Sequence, residues 1–559
     1  MQNNIFRRKP IETILAESES GRHDGHERSG MHQILGVRDL TFMGVAAVIG
    51  GGIFSTIGAA AYNGGPGVVF LFLITAVTCG FTALCYAEFA SRVPASGSAY
   101  TYSYVTFGEV VAWIIGWALI LEYAIGNIVV AISWSAYFNN ILKAFGIDLP
   151  NWLTTGYQTA RMAHGEALAA GTPTQGMAFA EAPRILGIPF VVNLPAGIIV
   201  LLVTLLAYIG MQESKRTANV MVFIKIAVLV FIAAIGLWYI FSEGTTSNWT
   251  PFLPNGMDGV LKGVSAVFFA YIGFDAISTT AEECRNPKRD LPRGMIYALL
   301  ICTLIYVVTA LVITGMVKYS EFKGVTDPLA YVFEKIQMKE VGFLISVSAV
   351  VAATSVLLVF QLGQPRIWMS MSRDGLLPGS FARIHPRFRT PSFSTVVSGL
   401  LVGVLVLFVD DRLMTDLTSI GTLFAFVLVC GGVLLLPRIG KDPDRFSLPY
   451  VNGKWIVPLL WLGMVFAFRE RISESWSHAT DGSSQETMFL VFILMSTVMA
   501  ALSFIRNYSL IPVLGVLSCC YLMIEIPAKS WMVFFGWMAL GLTVYFGYGR
   551  QKSRLASGR

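Results

Sequence analysis

A chain of 559 residues that is 55% apolar and only 13% charged, with a mean hydropathy of +0.65, cannot be a soluble globular protein. Its formal net charge of +6 is spread through loops and tails, which argues against nucleic-acid binding. The seven cysteines and six histidines show neither metal-ligand spacing nor a disulfide framework, so no metal and no bound cofactor is expected.

The polar start, Met1 to Gly30, does not read as a cleaved signal peptide. Residues 1–37 form a tail in which Ile5-Phe6-Arg7-Arg8-Lys9-Pro10-Ile11 mixes apolar and basic side chains, a pattern suited to lying on an anionic leaflet, with a disordered tail as the competing reading. His23 and His26 sit in this solvated tail. Apolar segments near the ~20 residues that span a bilayer are predicted at 38–61, 66–90, 108–133, 194–211, 218–241, 260–281, 294–317, 341–371, 393–409, 414–437, 455–468, 486–505, 508–526 and 530–548, fourteen in all. The short one at 455–468 either extends to Glu470 or is re-entrant. With the N-terminus inside, 27 Lys/Arg fall on the cytoplasmic side and 12 outside, so both termini are expected in the cytoplasm of a multi-pass cell-membrane protein.

The first span contains Ile49-Gly50-Gly51-Gly52-Ile53. Glycine costs roughly 1 kcal/mol against alanine in a helix, so three in a row favour a break. A break at membrane depth is tolerated only where protein or a cavity surrounds it. The half-helix beyond it aims free N–H groups and a positive dipole end at the gap, which makes a receptor for a carboxylate. Close glycine-mediated helix packing is the competing reading. Span 3 carries Glu122 well inside the membrane, where it either faces a functional interior or holds two helices together. Residues 139–193 read as an elaborated external loop. Span 5 carries Lys225, which either snorkels to the surface or is a buried amine able to gain and lose a proton. Such an ammonium also substitutes for a bound Na⁺.

Span 6 holds the second break, Phe269-Ala270-Tyr271-Ile272-Gly273-Phe274-Asp275. Its exposed carbonyls can accept hydrogen bonds from an ammonium, and Asp275 can cap the following half-helix. Span 8 includes the small polar run Ala352-Ala353-Thr354-Ser355. Spans 11–14 lack mid-span charges and read as scaffold or oligomer surface. The organisation is therefore a first five-span unit at 38–241, a second at 260–437, C-terminal helices at 455–548 and a short tail at 549–559. A break in the first span of each unit points to an inverted-repeat transporter. One break offers N–H groups and the other C=O groups, which together suit an α-amino acid.

Gly50-Gly51-Gly52-Ile53-Phe54 resembles the G-x-G-I-F break of the amino acid–polyamine–organocation permeases. Phe6–Glu12, Phe269–Asp275, Glu282-Glu283 with Asn286-Pro287, Met371–Leu377, Tyr521–Met523 and Tyr545–Gly549 narrow the resemblance to the cationic amino acid transporters and their ApcT-like relatives. The resemblance implies an all-α LeuT-like 5+5 inverted repeat with helices 1 and 6 broken, plus about four C-terminal helices. It implies that Ile49 to Ile53 hold the substrate carboxylate and that carbonyls near Phe269, Ala270 and Ile272 help hold the amino group. It makes Lys225 the proton-coupling group, with the proton as coupling ion and Glu122 and Asp275 in support. Ala353 stands where some relatives carry a larger residue, leaving room for a longer side chain such as Arg or Lys. Gly44-Val45-Ala46 departs from the usual G-I-G.

The expected function is thus a proton-coupled amino acid importer working by alternating access. An exchanger, or an amino acid sensor without net transport, is the alternative. An enzyme is not expected, since the spans hold no catalytic pair. The expected partners are the amino acid and the bilayer, with no obligatory protein subunit.

Overall fold

The computed structural model describes residues 5–14, 33–50, 52–171, 174, 176–325, 327–409, 411–437, 445–478 and 484–557. The first repeat runs through α1 (Val37–Val48), α2 (Ile57–Gly64), α3 (Val68–Arg92), the short α4 (Ala99–Thr106), α5 (Glu109–Ala144), α6 (Leu194–Ile209) and α7 (Met211–Ser242). The second runs through α8 (Val264–Tyr271), a 3₁₀ stretch at Phe274–Glu283, α9 (Pro287–Met316), α10 (Lys339–Arg373), α11 (Ser392–Leu405) and α12 (Asp411–Leu435). Helices α13 (Ile456–Ala467), α14 (Ser484–Arg506), α15 (Leu510–Ile524) and α16 (Ala528–Val544) follow. Among the described residues, eight helical stretches are long and apolar enough to cross a membrane, and α6, α11, α13 and α15 are shorter apolar helices.

The fold is a LeuT-like 5+5 inverted repeat, and its packing shows the symmetry. Helix α3 lies along its counterpart α9, α5 along α10, and α6 along α11. The two broken members meet as well, α1 against Phe274–Glu283 and α8 against the turn Gly52–Thr56. These helices thus each bury one stripe on a symmetry mate. Local signals set several boundaries. Asn193 starts α6 by accepting the Ala196 N–H at 3.3 Å, with Pro195 in the first turn, and Ser135 on α5 donates to the same oxygen at 2.7 Å.

The segment between α5 and α6 holds short helices, of which Tyr157–Ala169 is the longest, and a two-residue hairpin, β1 (Arg184–Ile185) with β2 (Ile188–Pro189). Its small apolar cluster is Ala160, Ala182 and Val191. The span predicted at 455–468 is the helix Ile456–Ala467, and a separate polar helix Arg469–His478 follows it.

The expectation that the basic tail lies on a leaflet is corrected. Arg7 donates to both oxygens of Glu109 at 2.8 and 2.9 Å, and Lys9 donates to Asp374 at 2.6 Å. Glu109 also accepts from Tyr104 at 2.8 Å, Tyr545 at 2.9 Å and Ser553 at 2.5 Å. A bidentate carboxylate inside the protein outcompetes a diffuse anionic surface for a guanidinium. Both chain ends are thereby fastened to the same face, around the starts of α4 and α5 and the end of α10. His23 and His26 lie outside the described residues.

Candidate functional site

The two breaks face each other at the centre of the bundle. Helix α1 stops because Ile49 is extended (φ −78°, ψ 99°), and the chain resumes as a π-helical turn, Gly52–Thr56. Helix α8 stops because Ile272 is extended (φ −62°, ψ 140°) and Gly273 is left-handed at φ +115°. A side chain at Gly273 would be strained, and its Cβ would sit 2.8 Å from that of Ala47. At Gly52 a Cβ would come within 2.3 Å of the Ala270 Cα. The two breaks are thus in backbone contact, and glycine permits the approach.

Helix α9 stitches the breaks together. The Tyr306 hydroxyl lies 2.7 Å from the Val48 carbonyl and 2.8 Å from the Ala270 carbonyl, so one proton serves both half-helix ends. Thr56 donates across the gap to the Ala266 carbonyl at 2.9 Å, and Tyr137 on α5 donates to the Phe54 carbonyl at 2.5 Å. Sequence reasoning missed all three. A hydroxyl in an apolar run leaves no pattern that separates a stitch from ordinary packing.

Lys225 does not snorkel. It is 0% exposed, and its ammonium donates to the Ile49 carbonyl at 2.6 Å, the Ala46 carbonyl at 3.0 Å and Ser355 Oγ at 2.8 Å. Three N–H donors meet three oxygens, which satisfies the charge. Two of those oxygens are end carbonyls of α1, where the dipole is negative and intrahelical partners run out. Ser355, from the small polar run of α10, also lies 3.2 Å from the Ala46 carbonyl.

The carbonyls of the second break are partly engaged: Phe269 accepts the Ile272 N–H at 3.3 Å, and Ala270 accepts from Tyr306. Ile49, Ile53, Phe269, Ala270, Ile272 and Ala353 are all buried. Gly50 abuts Val356, where a Cβ would lie 2.2 Å from Cγ2. Gly51 lies outside the described residues.

Glu122 (3% exposed) and Asp275 (1% exposed) are close enough to interact electrostatically, with Tyr123 beside them. Glu122 Oε2, Asp275 Oδ1 and the Tyr123 hydroxyl find no hydrogen-bond partner among the described residues. Asp275 does not occupy the cap expected of it. Gly273 holds the cap position and Asp275 falls in the first turn, where its charge still favours the dipole.

Below the breaks, Leu35 and Cys284 form a parallel bridge that ties the entry of α1 to the end of Phe274–Glu283. Glu283 in turn accepts from Arg366 of α10 at 3.0 and 2.8 Å, with both side chains buried. The pair lies on the face that carries the termini.

Residues 35–498 match the amino acid permease family, and residues 508–553 match the family describing the C-terminus of such permeases. The branched-chain amino acid permease BcaP of Bacillus subtilis is 35% identical over 556 residues, covering 99% of this chain and 100% of that protein. The vacuolar cationic amino acid transporter 2 of Arabidopsis thaliana is 38% identical over 449 residues, covering 80% of this chain and 65% of that protein. Among solved structures, MhsT in complex with L-phenylalanine superposes with a TM-score of 0.50 at 14% identity, covering 72% of this chain and 89% of that one.

Proposed function

The chain belongs to the amino acid permease family, and from that premise we propose that it imports an α-amino acid, coupled to protons, by alternating access. Membership makes it a multi-pass membrane permease and not an enzyme. The cell membrane with both termini cytoplasmic is our reading of the Lys/Arg distribution.

The observation that carries the coupling is Lys225 on the end of α1. While protonated, the amine holds Ile49, Ala46 and Ser355 together and fixes the broken helix against α10. Loss of the proton removes one donor and the attraction to the negative helix end, which loosens α1 from α10. The substrate carboxylate is read onto the N–H groups between Ile49 and Ile53. Its ammonium is read onto carbonyls around Phe269, Ala270 and Ile272. Transport then alternates which side of this junction is plugged.

For the side chain we favour a neutral branched aliphatic group. Apart from the hydroxyls and the amine that bind the backbone, Ile49, Ile53, Phe269, Ala353 and Val356 around the breaks are buried and apolar. The full-length similarity to a branched-chain amino acid permease points the same way.

The test is uptake of labelled leucine, alanine, arginine and glutamate into proteoliposomes, with and without an inward proton gradient. Gradient-driven accumulation of leucine is expected. Uptake only into vesicles preloaded with amino acid would establish an exchanger instead and leave Lys225 a structural charge.

A further inference from the structure

Helices α13, α14 and α15 enclose a groove that the transport path does not use. Its volume is about 1190 Å³, and Leu460, Met464, Leu514 and Leu517 give it apolar walls. That exceeds the ~300–1,000 Å³ common for sites of drug-sized molecules. Leu460 is 52% exposed, so the groove opens sideways toward hydrocarbon.

One end is charged. Glu470, Glu474, Glu486 and Glu525 gather there with Lys262 and Arg471. This end lies on the face opposite the chain termini. Helix α13 begins near the end of α3, where Arg92 donates to the Pro437 carbonyl at 2.7 Å and Leu448 N–H donates to Glu88 at 2.7 Å, and then runs away from that face. Arg471 lies 3.4 Å from Glu525 and 4.4 Å above the Phe489 ring. Arg469 lies 4.0 Å from Glu470, so four carboxylates stand against three cations and this end keeps a net negative charge of one.

We propose that the groove binds one phospholipid with a primary-amine head group, of the phosphatidylethanolamine class. The occupant must be apolar along its length and charged at one end, which describes a lipid in the leaflet on that face. An acyl chain lies on Leu460, Met464, Leu514 and Leu517. The ammonium sits among the carboxylates while the phosphate faces Lys262 and Arg471. A lipid with a net negative head group meets the carboxylate excess and is disfavoured.

Native mass spectrometry of the purified full-length protein in an equal mixture of phosphatidylethanolamine, phosphatidylcholine and phosphatidylglycerol tests this. We expect one phosphatidylethanolamine retained per chain, favoured over phosphatidylglycerol by up to about fivefold, the scale of one exposed ion pair. Leu517→Trp fills the groove and abolishes retention. Glu470→Gln/Glu486→Gln leaves retention but removes the head-group preference, and needs no change in packing. A ligand-induced thermal shift in each variant confirms that the transport core is folded. Equal retention of the three lipids overturns the proposal, as does retention that survives Leu517→Trp. A lipid-free dimer that Leu517→Trp converts to monomer would also overturn it, by showing that a second copy of the chain fills the groove.

Discussion

Replacing Lys225 by methionine keeps most of the stem and removes the ammonium. Ser355 Oγ remains 3.2 Å from the Ala46 carbonyl, but its single proton is shared with the Ala352 carbonyl at 2.7 Å. The Ile49 carbonyl, now 2.6 Å from Nζ, loses its partner. One stranded buried carbonyl costs about 1–3 kcal/mol in soluble proteins, and hydrogen bonds inside membranes average nearer ~0.6 kcal/mol. Losing a cation at a helix C-terminus adds up to about 2 kcal/mol in partly buried sites. The combined effect on the arrangement with α1 docked on α10 is therefore about 1–3 kcal/mol, or roughly 5- to 150-fold in population. The assay is proteoliposome uptake driven by an inward proton gradient, paired with counterflow at zero gradient. Gradient-driven accumulation by Lys225→Met should fall by that factor while counterflow persists. Accumulation at the wild-type level would refute the reasoning, because no proton would then need to reach this amine.

Two glycine variants should separate by the atoms they meet. Gly50→Ala strikes the side chain of Val356 at 2.2 Å, so Gly50→Ala/Val356→Ala should recover substrate binding in a thermal-shift titration. Gly52→Ala meets the Ala270 backbone at 2.3 Å, and trimming a side chain should not restore binding. Glu283→Gln should weaken the buried pair with Arg366, a break worth about 3–5 kcal/mol when one partner is lost. In a chain whose only cysteine is Cys284, buried here, maleimide labelling from the terminal face should then accelerate, and an unchanged rate would show that the pair does not close that face. Asp327, before the helix Pro328–Lys335, accepts from Asn140 at 3.0 Å. Burial, with Glu334 adding to it, raises its carboxyl above the usual range. Its folded form therefore prefers the proton: the contribution is full below the ordinary aspartate pKa and is lost as pH rises through the raised value. Asp327→Asn should flatten this part of the pH dependence of thermal stability, and an identical profile would show that the titrating group lies elsewhere.

The elements readable from sequence were those with a strong local cause. The run Gly50-Gly51-Gly52 announced the first break, and a lone Gly273 with Asp275 in an apolar span announced the second. An isolated lysine in an apolar run announced Lys225, although sequence alone left snorkelling open; only the placement of Ile49 and Ser355 around the amine decides it. The stitches made by Tyr306, Tyr137 and Thr56 were illegible, since each joins residues 83 to 258 positions apart or crosses the gap between breaks. The tail was misread for a related reason. Its basic side chains looked like membrane anchors because their partners, Glu109 and Asp374, lie about a hundred residues away or more.

The arrangement of contacts bears on what can move. Helices α5 and α10 are held by the tail clamp at Glu109 and Asp374, and each packs on its symmetry mate. The broken pair is bound internally by backbone contact, by Tyr306 and by the Leu35–Cys284 bridge, and it meets α10 through the Gly50–Val356 contact and a few polar ones: Lys225 with Ser355 beside it, and Glu283 on Arg366. Those contacts can be broken without unpacking a core, whereas sliding α5 along α10 would disturb many close-packed side chains at once. Motion should therefore partition into the two broken helices rocking as one body against a fixed α5–α10 frame. A double-mutant cycle on Lys225→Met and Glu283→Gln examines this directly. If the helices move as one body, the two substitutions relieve the same closed state and their effects on Cys284 labelling are coupled. Strictly additive effects would mean that α1 and the Phe274–Glu283 segment open separately.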